Sequence, residues 1–411
     1  MASGILEKSY WQDTTQLEQL RTGEKLPKQS DVVIIGGGIT GLSTAYWLQQ
    51  AGIRFVVLDK KAIGSGASSR NAGLLLAGTA EHFARLVAAV SLPEAKILWD
   101  FSIKNNTLLE EFIRIHKIDC DFRKEGSLAI ASSESEANEI RESVKLLREN
   151  GYGSEWLTRK SLQKLFKSPL PEKFLGARFY AKDATFHPGK FIFGLGKQIL
   201  QNHGKLFPRI DVTAISEASD DVVVETSAGA IACHMVVLAT NGYASRVYPY
   251  FQKRIEPVRG QIIATEPTNR EIPPMAMMTN FGYEYWQQTP HGRLVLGGMR
   301  WSAEDADVGK FDETPDPKVQ KNLRDFINST FKNLAHVTLT HNWAGIMGFS
   351  IDGLPIIGKL PGRNTILTAG GYTGHGMSFG FLAGKILANI IQTGKTEEDI
   401  QLFSPGRFLV S

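Results

Sequence analysis

A discontinuous α/β core of parallel strands and helices, interrupted twice by an antiparallel sheet, is the fold this 411-residue chain predicts. Three observations predict it. "DVVIIGGGITGLSTAYWLQQAGIRFVVLDKK" reads as strand, glycine-rich turn, helix and second strand. "PVRGQIIATE" and "YEYWQQTPHGRLVLGGM" carry antiparallel patterning, and a short buried strand with a long helix returns near the end of the chain. Antiparallel strands do not simply extend a parallel core, so two sheets are expected. A chain of this length suggests about two domains at the usual ~100–200 residues each. The expected division is 1–90, 170–250 and 340–411 for the α/β core, with 91–169 and 251–339 for the antiparallel part.

In chain order, the β-branched run 32–35 forms the first strand, and Gly52 closes the helix after it. "LPEAKILWDFSIKNNTLLEEFIRIHK" is helical, "GSLAIA" is a strand, and a helix from about Ser133 opens with the capping box Ser133-x-x-Glu136. "HPGKFIFGLGKQILQNHG" begins another helix, followed by the strands "VVVET" and "HMVVLATNGY". A turn at Pro290 to Gly292 joins the strands of the "YEYWQQTPHGRLVLGGM" hairpin. The acidic segment "SAEDADVGKFDETPDP" (302–317) reads as a solvated excursion, with a lid as the alternative.

Composition narrows the function. The formal net charge is +4 and the basic residues are dispersed, which argues against a nucleic-acid partner or an anionic membrane. Cys120 and Cys233 have no metal or redox spacing, so buried free thiols in a reducing cytoplasm are expected. The first twenty residues lack a secretory pattern, and no window approaches ~18 uninterrupted apolar residues, so no membrane span is expected.

Gly36-x-Gly38-x-x-Gly41, between strand and helix, lets the backbone turn tightly and approach a pyrophosphate, with the helix N-terminus facing the phosphates. Asp59 at the end of the second strand is positioned for an adenosine ribose. This defines a Rossmann-like domain. A second Gly/Ser run, "IGSGASSRNAGLL", follows at once. There Ser68, Ser69, Asn71 and Gly73 would wrap donors around the second phosphate and ribityl chain of a longer cofactor, FAD.

At this point the chain resembles the FAD-dependent amine and amino-acid oxidoreductases grouped with D-amino-acid oxidase, glycine oxidase and monomeric sarcosine oxidase. "GGGITGLSTAYWL", "GASSRNAG", "VVLATNGY", "WAGIMGFSIDGLPIIG" and "GGYTGHGM" carry the resemblance. "SYW" at 9–11, "RNAG" and "GYTGHGM" look closest to the gamma-glutamylputrescine oxidase type. The resemblance implies an FAD-binding domain and a substrate domain. It implies FAD contacts at Gly36, Gly38, Ile39, Thr40, Gly41, Asp59, Lys60, Ser68, Ser69, Arg70, Asn71, Gly73, Leu74 and Val212. In the last glycine-rich turn it implies Gly371, Tyr372, Thr373, Gly374, His375, Gly376 and Met377. That turn and the helix after it would set backbone N–H groups and a positive helix end against the flavin. The stripe Gly376, Gly380, Gly384 reads as a helix-packing face.

Tyr285, which matches a substrate-contacting tyrosine of glycine oxidase, Arg300 and His375 are the candidate catalytic residues. Tyr283 and Tyr285 share one strand face, Glu284 and Trp286 the other. Arg300 and Trp301 are candidates for a distal anionic or aromatic group, Trp343 for the core, and His375 equally for a structural role in a tight turn.

Departures from the family matter as much. The segment Gly345–Ile351 lacks the flavin-anchoring cysteine of sarcosine oxidase, and Arg70 stands where related dehydrogenases anchor flavin by histidine, so FAD should be noncovalent. Met347, Thr373 and Ser378 stand where relatives carry cationic carboxylate anchors, so an α-amino acid would lack its clamp. The expected reaction oxidises the C–N bond of a small amine to an imine by hydride transfer to flavin N5. O2 or another acceptor follows, since Val295 stands where sarcosine oxidase carries its oxygen-activating lysine. The alternatives are an amino-acid oxidase with a relocated clamp such as Arg300 or Arg259, a tRNA-modifying flavoprotein, and a flavin-binding partner subunit. No metal is expected.

Overall fold

Strand Gln29–Ile35 alternates its side chains between two cores, Val32 and Ile34 on one side and Val33 and Ile35 on the other, and this fixes the layering of the first sheet. In this computed structural model, which describes residues 4–218 and 221–409, its parallel neighbours are Phe55–Asp59 and Gly229–Leu238. Lys205–Pro208 extends the parallel set at one side and Ile366–Gly370 at the other, where Ile356–Lys359 adds an antiparallel edge. Val212–Ala218 and Asp221–Thr226 form an antiparallel extension on the N-terminal half of Gly229–Leu238, completing eight strands. Helices Ile39–Gln50, Leu92–Ile115, Pro188–Gln201 and Gly380–Thr393 contribute Leu42, Leu109, Phe191 and Phe381 to the core on one face. The expected α/β class, with two sheets, is the fold observed.

The second sheet has nine strands, running from Leu6–Glu7 through Leu339–Ser350, Ile255–Pro267, Arg293–Gly298, Glu284–Gln288, Ala276–Thr279, Ser127–Ala131 and Gly176–Tyr180 to Glu155–Thr158. It is antiparallel except where Leu6–Glu7 meets Leu339–Ser350 and Ala276–Thr279 meets Ser127–Ala131. Its helix-covered face holds Trp286, Phe326 and Phe331.

The two sheets divide the chain differently from the expected ranges. Gly176–Tyr180 and Leu339–Ser350 belong to the nine-stranded sheet, because the hydrogen bonds of the first go to Ser127–Ala131 and Glu155–Thr158 and those of the second to Ile255–Pro267. Helix Leu92–Ile115 packs with the core of the first sheet. The returning C-terminal segment holds three strands rather than one. Half of the capping box forms: Ser133 Oγ accepts from Glu136 N, but the Glu136 carboxylate accepts from Ser132 N and from Phe281 N, bracing a turn of the second sheet.

The acidic segment 302–317 is docked rather than solvated, because its acids meet the largely buried Arg259 and Arg70 as well as the exposed Lys61. Asp307 pairs with Arg259 and accepts from Gln261, Asp312 also pairs with Arg259, and Glu313 reaches Lys61, Arg70 and the Tyr243 hydroxyl.

Candidate functional site

The glycine fingerprint is shaped by contacts that a side chain would break. Gly36 has φ +107°, and a Cβ there would lie 2.5 Å from Ala239 O of the adjacent strand, while at Gly41 it would run into Gly36 O. Asp59 accepts from Gly37 N at 2.9 Å and from Lys61 N at 2.8 Å, so its carboxylate is fixed beside the glycine turn. Burial pushes its pKa up to about 6, against those two amides. Lys60 turns to Asp211 at the surface. Ile210 N donates to Asp59 O, which lays the segment leading into Val212 alongside.

The second Gly/Ser loop folds on itself more than its sequence indicates. Ser68 Oγ accepts from Ile39 N at 2.9 Å and stands at the helix N-terminus next to Gly38. Ser69 Oγ instead donates to Gly64 O, and Asn71 binds Ala67 O, Ser68 O and Gly73 N. Those two side chains shape the loop, leaving Ser68 and the backbone to face outward. Arg70 donates to Ser65 O and Ala344 O and pairs with Glu313, and Trp343, a core residue, donates to Arg70 O. Leu74 packs beside Tyr10, Trp11 and Trp343.

Two supports of this loop escaped the sequence reading. Near the N-terminus, Ser9 Oγ donates to Ser69 O, Trp11 Nε1 to Asn71 O, and Gln12 Nε2 to Ser65 O and Ser69 Oγ. From the second sheet, Gln287 Nε2 donates to Ala72 O and Gly73 O, with Arg123 on its oxygen. "SYW" and the polar residue alternating with Tyr285 were the available signals.

In the C-terminal turn, Gly371, Thr373 and Gly374 have positive φ, so the chain reverses sharply between strand and helix. Tyr372 Oη meets Thr40 Oγ1 at 2.8 Å, Gly371 N donates to Asn241 Oδ1 and Thr373 N to Gly348 O, tying the turn to the fingerprint helix and to both sheets. Gly380 and Gly384 let helix Gly380–Thr393 press directly onto Ile39, Thr40 and Ser43; Gly376 packs on Tyr372 instead. The expected positive helix end is not free: Asn105 Oδ1 accepts from Phe381 N and Leu382 N, the first-turn amides. The Met377 side chain is buried in the core, and its carbonyl accepts from Asn105.

Tyr285 lies on the opposite strand face from Trp286, over Gly297, and burial pushes its phenol up to about 12 despite Arg300 nearby. The Arg300 guanidinium sits 5.1 Å from the Tyr283 ring centre and 5.3 Å from that of Phe349, with one 3.3 Å hydrogen bond to Ala306 O. Trp301 is exposed and donates to Glu284. A Cβ on Gly260 would meet Met347 Cε at 3.1 Å and Tyr285 Oη at 3.8 Å, and Met347 Sδ borders Gly374. Met347, Tyr285 and the C-terminal turn therefore converge. His375 in that turn is pushed down to about 4, by burial first and Arg178 second.

Both ring nitrogens of His375, and Thr240 Oγ1 beside Gly36, are buried without a hydrogen-bond partner among the described residues. Such groups cost about 1–3 kcal/mol each unless a ligand satisfies them. With the glycine cradle, Asp59 and a second phosphate-sized loop, the residues fit a dinucleotide longer than one βαβ unit holds. Fold and site together define a two-sheet dinucleotide-dependent oxidoreductase.

The chain belongs to the FAD dependent oxidoreductase (DAO) family, whose profile matches residues 31–390, and it is an FAD-dependent oxidoreductase. It is 28% identical over 373 residues to the gamma-glutamylputrescine oxidoreductase of Escherichia coli K12, covering 88% of this chain and 83% of that one. It is 24% identical to the glycine oxidase of Geobacillus kaustophilus, covering 92% and 97%. The crystal structure of glycine oxidase from Geobacillus kaustophilus superposes with a TM-score of 0.81 at 22% identity over 93% of this chain and 99% of that one. That of L-proline dehydrogenase from P. horikoshii gives 0.79 at 22% identity over 94% and 99%. No helix among the described residues is long and apolar enough to cross a membrane.

Proposed function

We propose that this chain oxidises the C–N bond of a small amine whose reacting carbon bears no carboxylate, a gamma-glutamylputrescine-like compound, with noncovalent FAD and with O2 as acceptor. The carrying observation is the lining where the C-terminal turn meets the second sheet. Met347 is an apolar side chain against Gly374, Thr373 is tied to Gly348 O, and the Ser378 hydroxyl accepts from Leu76 N. None offers a cation to an α-carboxylate, and an unpaired buried carboxylate is costly. Of the alternative clamps, Arg259 is held by Asp307 and Asp312, whereas Arg300, near Tyr285 and without an ion pair among the described residues, is the cation an α-amino acid would have to use.

In this reading Gly36, Gly38, Gly41 and Ser68 cradle the pyrophosphate and Asp59 the adenosine ribose. The turn Gly371–Gly376 borders the flavin ring, and Tyr285 and His375 border the amine. Bound FAD supplies the hydride acceptor. The chain's task is to hold the neutral amine in line and exclude water. Noncovalent binding is supported by the two thiols: both are buried in cores and pushed up to about 12, unready as nucleophiles. The partner is a small molecule alone, without nucleic acid, in the cytoplasm, in keeping with dispersed charge and free cysteines.

Anaerobic stopped-flow flavin reduction with N-acylated diamines and matched α-amino acids tests the reading. Faster reduction by the amino acids refutes it. FAD should leave intact on acid denaturation, and a flavinylated peptide would overturn the noncovalent assignment. Reoxidation by O2 compared with an artificial dye tests the acceptor.

A further inference from the structure

Arg178 is 5% exposed, yet its guanidinium makes no hydrogen bond and no ion pair among the described residues, and its Nε is wholly buried and unpartnered. A buried arginine stays protonated at physiological pH and needs an anion or acceptors around it. The Asp183 carboxylate lies near enough to favour the charged guanidinium against burial but makes no hydrogen bond or ion-pair contact with it among the described residues, its Oδ1 accepting from Ala77 N at 2.7 Å and its Oδ2 from Ser127 Oγ at 2.6 Å. Three neighbours share the deficit. Trp99, whose ring centre lies 5.5 Å from the guanidinium, has an unpartnered Nε1; Tyr180, with its ring centre 5.9 Å from that of Trp99, has an unpartnered Oη. His375, near enough for Arg178 to depress its basicity, has both nitrogens unpartnered. Donors outnumber acceptors, since Arg178 and Trp99 only donate while Tyr180 and the neutral His375 can do both.

The sheet register links this cluster to the reacting end. Tyr285 pairs with Met278, Met278 with Ala129, and Ala129 with Arg178, so all four side chains stand on one face. Three strand steps at ~4.8 Å separate the Tyr285 and Arg178 backbones by roughly 14 Å. Met278 and the buried Ala129 between them pack against Ala137, Ile140 and Val144 of helix Glu134–Glu149, so the approach to Arg178 is from the His375 side rather than along the sheet.

We propose that Arg178 binds a carboxylate of the amine substrate carried several atoms from the reacting carbon, in a subsite completed by Trp99 and Tyr180, with His375 between that subsite and the amine. This rests on the amine-oxidation reading above. It gives that reading a specificity element: an uncharged or cationic tail would leave Arg178 buried and unpaired, while an acid tail satisfies it.

The test uses the FAD-loaded full chain and a matched pair, N-succinylputrescine and N-acetylputrescine, alike at the amine and differing in the terminal carboxylate. Dissociation constants are read from perturbation of the oxidised flavin band under anaerobic conditions, and flavin reduction is recorded separately. The wild type should bind the succinyl compound about tenfold or more tightly, as expected for a charge-assisted hydrogen-bonded pair. Arg178→Met should bring that ratio close to one, and Arg178→Lys should keep part of it. Should the methionine variant fail to hold FAD, the lysine variant decides by the same ratio. A wild type without the preference, or an Arg178 variant that keeps it whole, overturns the proposal. Selective binding without flavin reduction would uphold the subsite and reject amine oxidation.

Discussion

Asp59 is where a single proton should govern cofactor retention. Its folded pKa, about 6, stands above the ordinary aspartate value of 3.8. For the chain without FAD, the stability linked to this group is therefore present below about 4 and lost as pH rises through about 6. FAD binding should run the other way, because an ionised carboxylate accepts ribose hydroxyls and a protonated one gives up an acceptor. The FAD dissociation constant, measured by flavin fluorescence, should rise by less than tenfold per unit as pH falls through about 6. Asp59→Asn should bind more weakly with a flat profile; an unchanged slope in that variant would point to another group. Gly38→Val should lose FAD, because the added side chain meets Ser68 Oγ, 2.9 Å from even a Cβ, at the helix N-terminus. Wild-type flavin content in that variant would reject the fingerprint role. His375, pushed down to about 4, is neutral across the working range. An increase of flavin-reduction rate that continues above about pH 6, where Asp59 and Asp183 are already ionised, is then assigned to the amine losing its proton. His375→Ala should lower the rate and keep the increase, and a flat profile in the wild type would remove the neutral-amine scheme.

At the scale of elements, the N-terminal segment acts as a brace behind the second Gly/Ser loop. Gln12→Ala removes donors to Ser65 O and Ser69 Oγ from a half-buried site, a loss of about 1–2 kcal/mol in loop order. FAD should dissociate several-fold faster, with the melting temperature of the FAD-free chain changed much less; equal losses in both would make the brace merely structural. This element also marks the limit of what the sequence discloses. The fingerprint strand, turn and helix were legible because glycine spacing and apolar period coincide there. The brace was not, because it works through side chain to backbone bonds spanning some fifty to sixty residues, for which no local pattern exists. Strand Leu339–Ser350, expected within the range 340–411 of the α/β core, hydrogen-bonds in the nine-stranded sheet instead, a difference with a related reason. Its run "WAGIMG" is buried on both faces and lacks the alternation that marks a sheet with one wet side. The missing clamps could be read by position, whereas Arg178 carries no motif at all and stands out only through the partners it lacks.

On the scale of the whole molecule, the two sheets are held together by charge as well as by packing. Arg259 in the nine-stranded sheet is bound by Asp307 and Asp312, and Glu313 of the same segment grips Lys61 and Arg70 beside the dinucleotide loops. Arg259→Met would strand Asp307, which is almost fully buried, and should cost about 3–5 kcal/mol, visible as a lowered melting temperature. Glu313→Gln keeps the hydrogen-bonding shape but removes the charge facing Lys61 and Arg70 at a mostly buried site, and should cost less than Arg259→Met, about 1–3 kcal/mol. Comparable losses in the two would show that the segment is held by its backbone instead. The pairing of Leu6–Glu7 with His341–Asn342 has a further consequence, in the order of biosynthesis. The strand that seats the N-terminal brace is translated more than three hundred residues after the brace itself. A nascent chain can form the glycine turn early, but it cannot latch the loop behind it until the ribosome has nearly finished. FAD taken up during synthesis should then exchange freely, and lasting capture should begin only once residue 350 has cleared the exit tunnel, so that truncated chains ending before Leu339 bind the cofactor loosely or not at all.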